Sequence, residues 1–185
     1  PLIFAHRGAS KYAPENTLAA FQLALEQGAK GIELDAMLSA DKRVIVIHDS
    51  TLNRTTNGEG EVNKYPLLEL KKLDAGSWYS GEYSSENIPS LEEVLEEFGG
   101  ACLINVELKN YHSPKDSLVE EVASLVVKMH LQHSVMFSSF LPGNIRKIRR
   151  HLSDVPVSLL ALSGFPGVVK RSFLFKSLSP EFIHI

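Results

Sequence analysis

Short apolar runs alternate with segments of helical period along most of this chain, and that alternation restricts its fold more than any other feature. Leu2 to Ala5 is a brief strand candidate and Gly31 to Leu38 a longer one. Val44 to Ile47, Leu103 to Leu108, Val135 to Ser138 and Val157 to Leu162 follow. Between them, Leu18, Phe21 and Leu25 recur at helical spacing after the start signals Pro14 to Thr17, and Gly28 stops that helix. Ser90 and Glu93 form a capping box ahead of Leu91, Val94, Leu95 and Phe98. Ser113–Pro114 opens a helix with the stripe Leu118, Val122, Leu125, Val126 and Met129, and Pro142 opens another through Ile145, Ile148 and Leu152. Strand–helix units of this size predict an α/β fold with a parallel sheet, closed or open.

The alternation breaks in places. Only Ser39 to Arg43 separates the second and third strand candidates, which is hairpin length and too short for a helical crossover. From Asp49 to Pro89 the pattern dissolves into threonines, asparagines, glycines and the aromatics Tyr65, Trp78, Tyr79 and Tyr83, so 49–89 reads as a small insertion. Ser163 to Ser179 fits a helix broken at Pro166–Gly167, and Phe182 to Ile185 begins a seventh strand. An eight-stranded barrel typically takes about 250 residues, about 65 more than this chain holds. The expectation is one barrel domain over 1–185 that lacks its C-terminal end.

Composition removes several classes. With 19 basic against 22 acidic side chains the net charge is −3, so no basic field invites nucleic acid. At 44% apolar and 22% charged residues the chain can bury a real core, which argues against disorder and low complexity. No run reaches the roughly 18 apolar residues of a membrane span. The single cysteine, Cys102, forms no intrachain disulfide and fits a reducing compartment, so a cytoplasmic location is expected. The start at Pro1 rather than a methionine points to trimming and leaves room for a removed signal peptide.

The chemistry lies where charges interrupt apolar strands. Glu33 and Asp35, spaced i, i+2, share one face of their strand, with Ile32 and Leu34 on the other. Glu107 and Lys109 repeat the arrangement. In an antiparallel sheet such a face is ordinary solvated surface; in a parallel sheet covered by helices both faces are buried. Two unit charges about 4 Å apart repel by about 4 kcal/mol at an effective dielectric constant of roughly 20. Three converging carboxylates therefore stay partly protonated or take a cation, and oxygen-only ligands favour Mg²⁺ or Ca²⁺ over zinc. His6 and His48 each follow a short apolar strand and lead into a loop, the place where parallel α/β folds set their active sites. A histidine pair can act as general acid and base near neutral pH. His130 and His133 near a helix end, and His151 among Arg146, Lys147, Arg149 and Arg150, read as solvated helix surface.

In order along the chain, His6-Arg7-Gly8, Glu15-Asn16-Thr17, Glu33-Leu34-Asp35, His48-Asp49 with Thr51 to Thr56, Ile88 to Leu91, Glu107-Leu108-Lys109 and Ser138-Ser139-Phe140 resemble the glycerophosphodiester phosphodiesterase family. The resemblance implies a TIM-type (β/α) barrel with a small insertion after the third strand. It also implies hydrolysis of glycerophosphodiesters to sn-glycerol 3-phosphate and an alcohol, aided by a divalent cation. Carried over by position, Glu33, Asp35 and Glu107 would bind the metal, and His6 and His48 would be the acid–base pair. Arg7 and Lys109 would hold the phosphate, with Glu15 and Asn16 as supporting groups. The nucleophile is either water or the substrate's neighbouring hydroxyl. The insertion's aromatics either border the glycerol pocket or simply pack. Family members continue through a final strand and helix with a tryptophan-bearing motif that this chain lacks. The rival readings are a phosphodiesterase acting on lysophospholipids or another headgroup, and a catalytically silent binding barrel.

Overall fold

The computed structural model describes residues 2–161 and the strand Phe182–His184. The reading of Ser163 to Ser179 as a broken helix lies outside the described residues. Seven strands form one sheet: β1 (Phe4–His6), β2 (Gly31–Leu38), β3 (Val44–Val46), β4 (Leu103–Leu108), β5 (Val135–Ser139), β6 (Val157–Leu160) and β7 (Phe182–His184). Six run in the order β1-β2-β4-β5-β6-β7, all parallel, and β3 pairs antiparallel with β2. The helices are α1 (Leu18–Glu26), α2 (Leu67–Leu70), α3 (Leu91–Phe98), α4 (Leu118–Lys128) and α5 (Pro142–His151). A parallel strand–helix succession of this kind is TIM-type barrel architecture. Among the described residues no helix is long and apolar enough to cross a membrane.

The pleat sorts the side chains of β2 and β4. Ile32, Leu34 and Ala36 join Ile104, Val106 and Leu108 in the main core, against Phe21, Leu95, Phe98, Val122 and Ile145 of the helices. Full burial of each such aliphatic side chain stabilises by about 1.5–3 kcal/mol. Alternation then commits Glu33, Asp35, Asn105 and Glu107 to the opposite face, and the register Asp35↔Glu107 sets two carboxylates side by side. Helix ends follow local rules: Thr17 Oγ1 caps α1 through Ala20 N–H, and Ser90 with Glu93 forms the expected capping box on α3.

α4 begins at Leu118, not at Pro114. The Asp116 carboxylate accepts hydrogen bonds from Asn110 Nδ2 (2.7 Å), Ser113 Oγ (2.7 Å) and the Leu118 N–H (3.1 Å), which holds the preceding residues as a turn. β3 also behaves differently from its neighbours. Ala36 pairs with both Val46 and Leu108, while Gly31 pairs with both Phe4 and Leu103, so β3 and β1 lie on the same edge of β2. They run toward each other along that edge.

Between β3 and α3 the chain forms two 3₁₀ turns, Val62–Lys64 and Gly81–Tyr83, and the short α2. A second apolar cluster of Ile45, Ile47, Leu52, Val62, Leu70, Ala75 and Ile88 holds this segment. Since Val44 and Val46 enter the main core, β3 is the wall between the two clusters. Tyr79 and Tyr83 donate their hydroxyls to the Lys11 and Tyr12 carbonyls (2.6 and 3.2 Å), fastening the segment to the loop after β1.

Candidate active site

The site begins where β1 ends. Arg7 and Gly8 both have left-handed backbone, φ +57° and +77°, so the chain turns sharply after His6. A Cβ on Gly8 would stand 2.6 Å from the Ala20 carbonyl carbon of α1, so only glycine allows this approach. The turn aims the Arg7 N–H at Glu33 Oε2 (2.9 Å), and its guanidinium reaches Glu15 Oε1 (3.0 Å) and Asp35 Oδ2 (3.3 Å). Asn16, also left-handed at φ +59°, donates Nδ2 to Asp35 Oδ2 at 2.8 Å.

Glu33, Asp35 and Glu107 are all buried, and one oxygen from each lies within 4.8 Å of the others. Lys109 Nζ stands 3.4 Å from Asp35 Oδ1 and 3.8 Å from Glu107 Oε1. Three carboxylates thus face two cations, Arg7 and Lys109. Burial, with the Asp35 charge next in weight, pushes the Glu33 carboxyl up to about 8. A buried all-oxygen donor set short of positive charge suits a hard divalent cation. Asp35 Oδ1 is buried and accepts no hydrogen bond among the described residues, its charged neighbour being Lys109 Nζ at 3.4 Å. Among the described residues the three carboxylates are the only group of three or more potential metal ligands that come together, and His130 and His133 belong to no such group.

His6 and His48 reach this centre from opposite directions. The sequence places both at the ends of comparable strands, but β3 is antiparallel, and His48 arrives because β3 descends the edge of β2 that β1 ascends. His6 Nε2 lies 3.9 Å from Glu33 Oε2 with its side chain largely exposed. Partial burial, then the Arg7 charge, lowers its pKa from the usual value. His48 Nδ1 is 2.6 Å from Asp49 Oδ1. Hydrogen bonding from Arg54, then from His48, holds the Asp49 carboxyl down to about 2. An ionised Asp49 accepts from Nδ1, which leaves His48 Nε2 as the nitrogen free for proton transfer.

Two groups escaped sequence reasoning as site residues. Arg54 donates Nε to Asp49 Oδ2 (2.6 Å) and its terminal nitrogens to Glu15 Oε2 and Oε1 (2.8 and 2.7 Å). These bonds raise the Arg54 pKa, and Glu15 lies below the usual range because they outweigh the effect of its burial. A continuous chain Arg7–Glu15–Arg54–Asp49–His48 results. Tyr111 donates its hydroxyl to Glu107 Oε1 at 2.6 Å, and burial together with the Glu107 charge raises its pKa. Its place two residues after Lys109 is the available signal; Arg54 lies inside the Thr51–Thr56 run, where no spacing sets it apart.

The architecture and the buried acidic centre together define a TIM-type barrel with a candidate metal site. The model of the glycerophosphoryl diester phosphodiesterase family matches residues 6–164, and the chain belongs to that family of phosphoric diester hydrolases. It is 41% identical over 164 residues to a glycerophosphodiester phosphodiesterase of Caldanaerobacter subterraneus subsp. tengcongensis, covering 88% of this chain and 68% of the relative. It is 40% identical over 162 residues to one from Bacillus altitudinis, covering 86% and 66%. Among solved structures, an Oleispira antarctica phosphodiesterase in complex with the product sn-glycerol-3-phosphate matches with a TM-score of 0.89 at 35% identity, over 100% of this chain and 74% of that one. The glycerophosphodiester phosphodiesterase of Agrobacterium tumefaciens matches at 0.78 and 38%, over 86% and 66%. The chain thus spans about two thirds to three quarters of the length of these relatives.

Proposed function

We propose that the protein hydrolyses glycerophosphodiesters to sn-glycerol 3-phosphate and an alcohol. The observation that carries this reading is the convergence of Glu33, Asp35 and Glu107 with Arg7, Lys109 and His6, with His48 near enough for its charge to act on His6. The product bound to the Oleispira antarctica relative supports the substrate class. Glu33, Asp35 and Glu107 would hold a divalent cation, Mg²⁺ or Ca²⁺, which when bound would supply Lewis acidity to the reaction. Arg7 and Lys109 take phosphate oxygens, Arg7 through its fork and Lys109 as a point charge. Both spread the charge that builds in the transition state. One histidine takes the proton of the attacking hydroxyl as the new O–P bond forms. The other gives a proton to the alkoxide as its P–O bond breaks. Asn16 fixes Asp35, and Glu15 fixes Arg7.

The test is turnover of glycerophosphocholine by the native protein and by His6→Ala and His48→Ala, with and without a chelator. Each substitution is expected to lower kcat by about 10²-fold or more. Near-native activity of either variant removes that histidine from the mechanism, and full activity in chelator removes the cation. A substrate without the neighbouring glycerol hydroxyl separates the routes: undiminished turnover selects water as the nucleophile.

A further inference from the structure

The face of β2 and β4 that carries the acidic centre has a fourth polar corner. Across the parallel register Glu33 pairs with Asn105 and Asp35 with Glu107, so Asn105 and the three carboxylates form one patch on two neighbouring strands. Lys109, two residues beyond Glu107, stands at the outer end of this face, where β4 gives way to its loop. Asn105 lies at the inner end.

Asparagine is poorly suited to that place. It is depleted in strand interiors. Here it is 4% exposed, and its Oδ1 is buried and accepts no hydrogen bond among the described residues. A buried amide oxygen without a donor is destabilising, whereas a leucine of similar size is not. Its other neighbours on the face, Leu103 on its own strand and Met136 across the register on β5, have no proton to donate. The nearby cations are engaged elsewhere, Lys109 with Asp35 and Glu107, and Arg7 with Glu15 and Asp35. A donor to Oδ1 therefore comes from the side of the carboxylates, and ionised carboxylates only accept.

A water held by a divalent cation meets this need. Mg²⁺ and Ca²⁺ take about six to eight oxygens, so three carboxylates binding through one oxygen each leave positions for water. The ion's charge makes such a water a strong donor. Resting on the cation reading above, we propose that Asn105 is a positioning residue of this centre, its Oδ1 accepting a hydrogen bond from a water on the ion. That bond fixes the water at the inner end of the site and leaves the ion's remaining positions to the outer side, where Lys109 stands.

The test is calorimetric titration of Mg²⁺ and of Ca²⁺ into the full-length protein, native, Asn105→Leu and Asn105→Asp, beside melting curves in chelator. Asn105→Leu is expected to weaken cation affinity about tenfold or more. In chelator it is expected to melt at or above the native temperature, because a buried unpaired oxygen is gone. Asn105→Asp keeps an acceptor in the same place and is expected to bind the ion at least as tightly as the native protein. Native affinity in Asn105→Leu, a loss that Asn105→Asp shares, or a lower Tm of Asn105→Leu in chelator overturns the assignment and leaves the cation site standing. A crystal structure of the native Mg²⁺ complex reads the contact directly. Water bridging Oδ1 and the ion is expected; Oδ1 bound to the ion itself, or to a protein donor, overturns the assignment. No binding of either ion by the native protein overturns both this assignment and the cation reading.

Discussion

Arg54 grips the Glu15 carboxylate with both terminal nitrogens, at 2.8 and 2.7 Å, while its Nε binds Asp49 at 2.6 Å. One planar group thereby ties the partner of Arg7 to the partner of His48. The Arg54 side chain is 43% exposed, so the individual ion pairs add little to stability. Their effect is geometric. A lysine keeps the charge but cannot hold two carboxylates in fixed directions. Arg54→Lys is expected to leave the melting temperature within a few degrees and lower kcat about 10- to 100-fold, the usual cost of losing an orienting partner. Steady-state kinetics beside a thermal melt verifies this; native kcat would show that Arg54 merely decorates the surface.

Tyr111 donates to Glu107 at 2.6 Å from four residues along the chain. Its hydroxyl fixes the direction of that carboxylate, as a ligand to a cation would need. Tyr111→Phe keeps the ring, its edge contact with Phe140 and its position under Lys109. The expected result is divalent-cation affinity weakened about tenfold, with kcat recovered at saturating ion. Isothermal titration of the cation measures the first and kinetics the second. Equal affinity in both proteins would remove Tyr111 from the centre.

The legible part of this molecule is the part written at short range. β2 and β4 have the bounds expected from their apolar runs, because buried parallel strands tolerate polar residues on one face only and the pleat alternates strictly. The acidic i, i+2 pair and Glu107 were visible for the same reason. The start of α4 was not, since Pro114 is a good first helical residue and the Asp116 turn that delays the helix draws on Asn110. The hairpin length before β3 showed its direction, but not that it would dock on the edge occupied by β1 and run toward it. Arg54 lies 39 residues from Glu15, and no periodicity encodes a side-chain reach of that kind.

Gly8 is where the loop carrying Arg7 meets α1. Its φ of +77° disfavours any other residue, and an added Cβ would press on the Ala20 backbone at 2.6 Å and 2.7 Å. Backbone cannot swing aside as a side chain can. Gly8→Ala is expected to cost at least about 2 kcal/mol, a fall in Tm of at least about 4 °C for a domain of this size. Activity should fall with it, because Arg7 moves with Gly8. Calorimetry that finds the variant as stable as the native protein would refute the close approach.

Glu33 links the acidic centre to pH. Its carboxyl titrates near 8 in the folded chain against 4.5 for the free side chain, mainly through burial and next through Asp35. Between those values the folded state holds more protons than the unfolded state, so stability without metal falls as pH rises through that window. A divalent cation competes with those protons for ionised carboxylates and so binds more tightly as pH rises. The ion-induced gain in stability, about 2.7 kcal/mol at a hundredfold excess over Kd, is therefore expected to grow from pH 5 to pH 8 while the chelated protein loses Tm. Glu33→Gln should flatten the decline in chelator and weaken the ion's effect, because the amide neither ionises nor repels Asp35. Melting curves of both proteins across that range, with Mg²⁺, with Ca²⁺ and with chelator, decide the matter. A chelated native protein whose Tm holds steady to pH 8 would mean that Glu33 is already ionised and balanced by Arg7 and Lys109 alone.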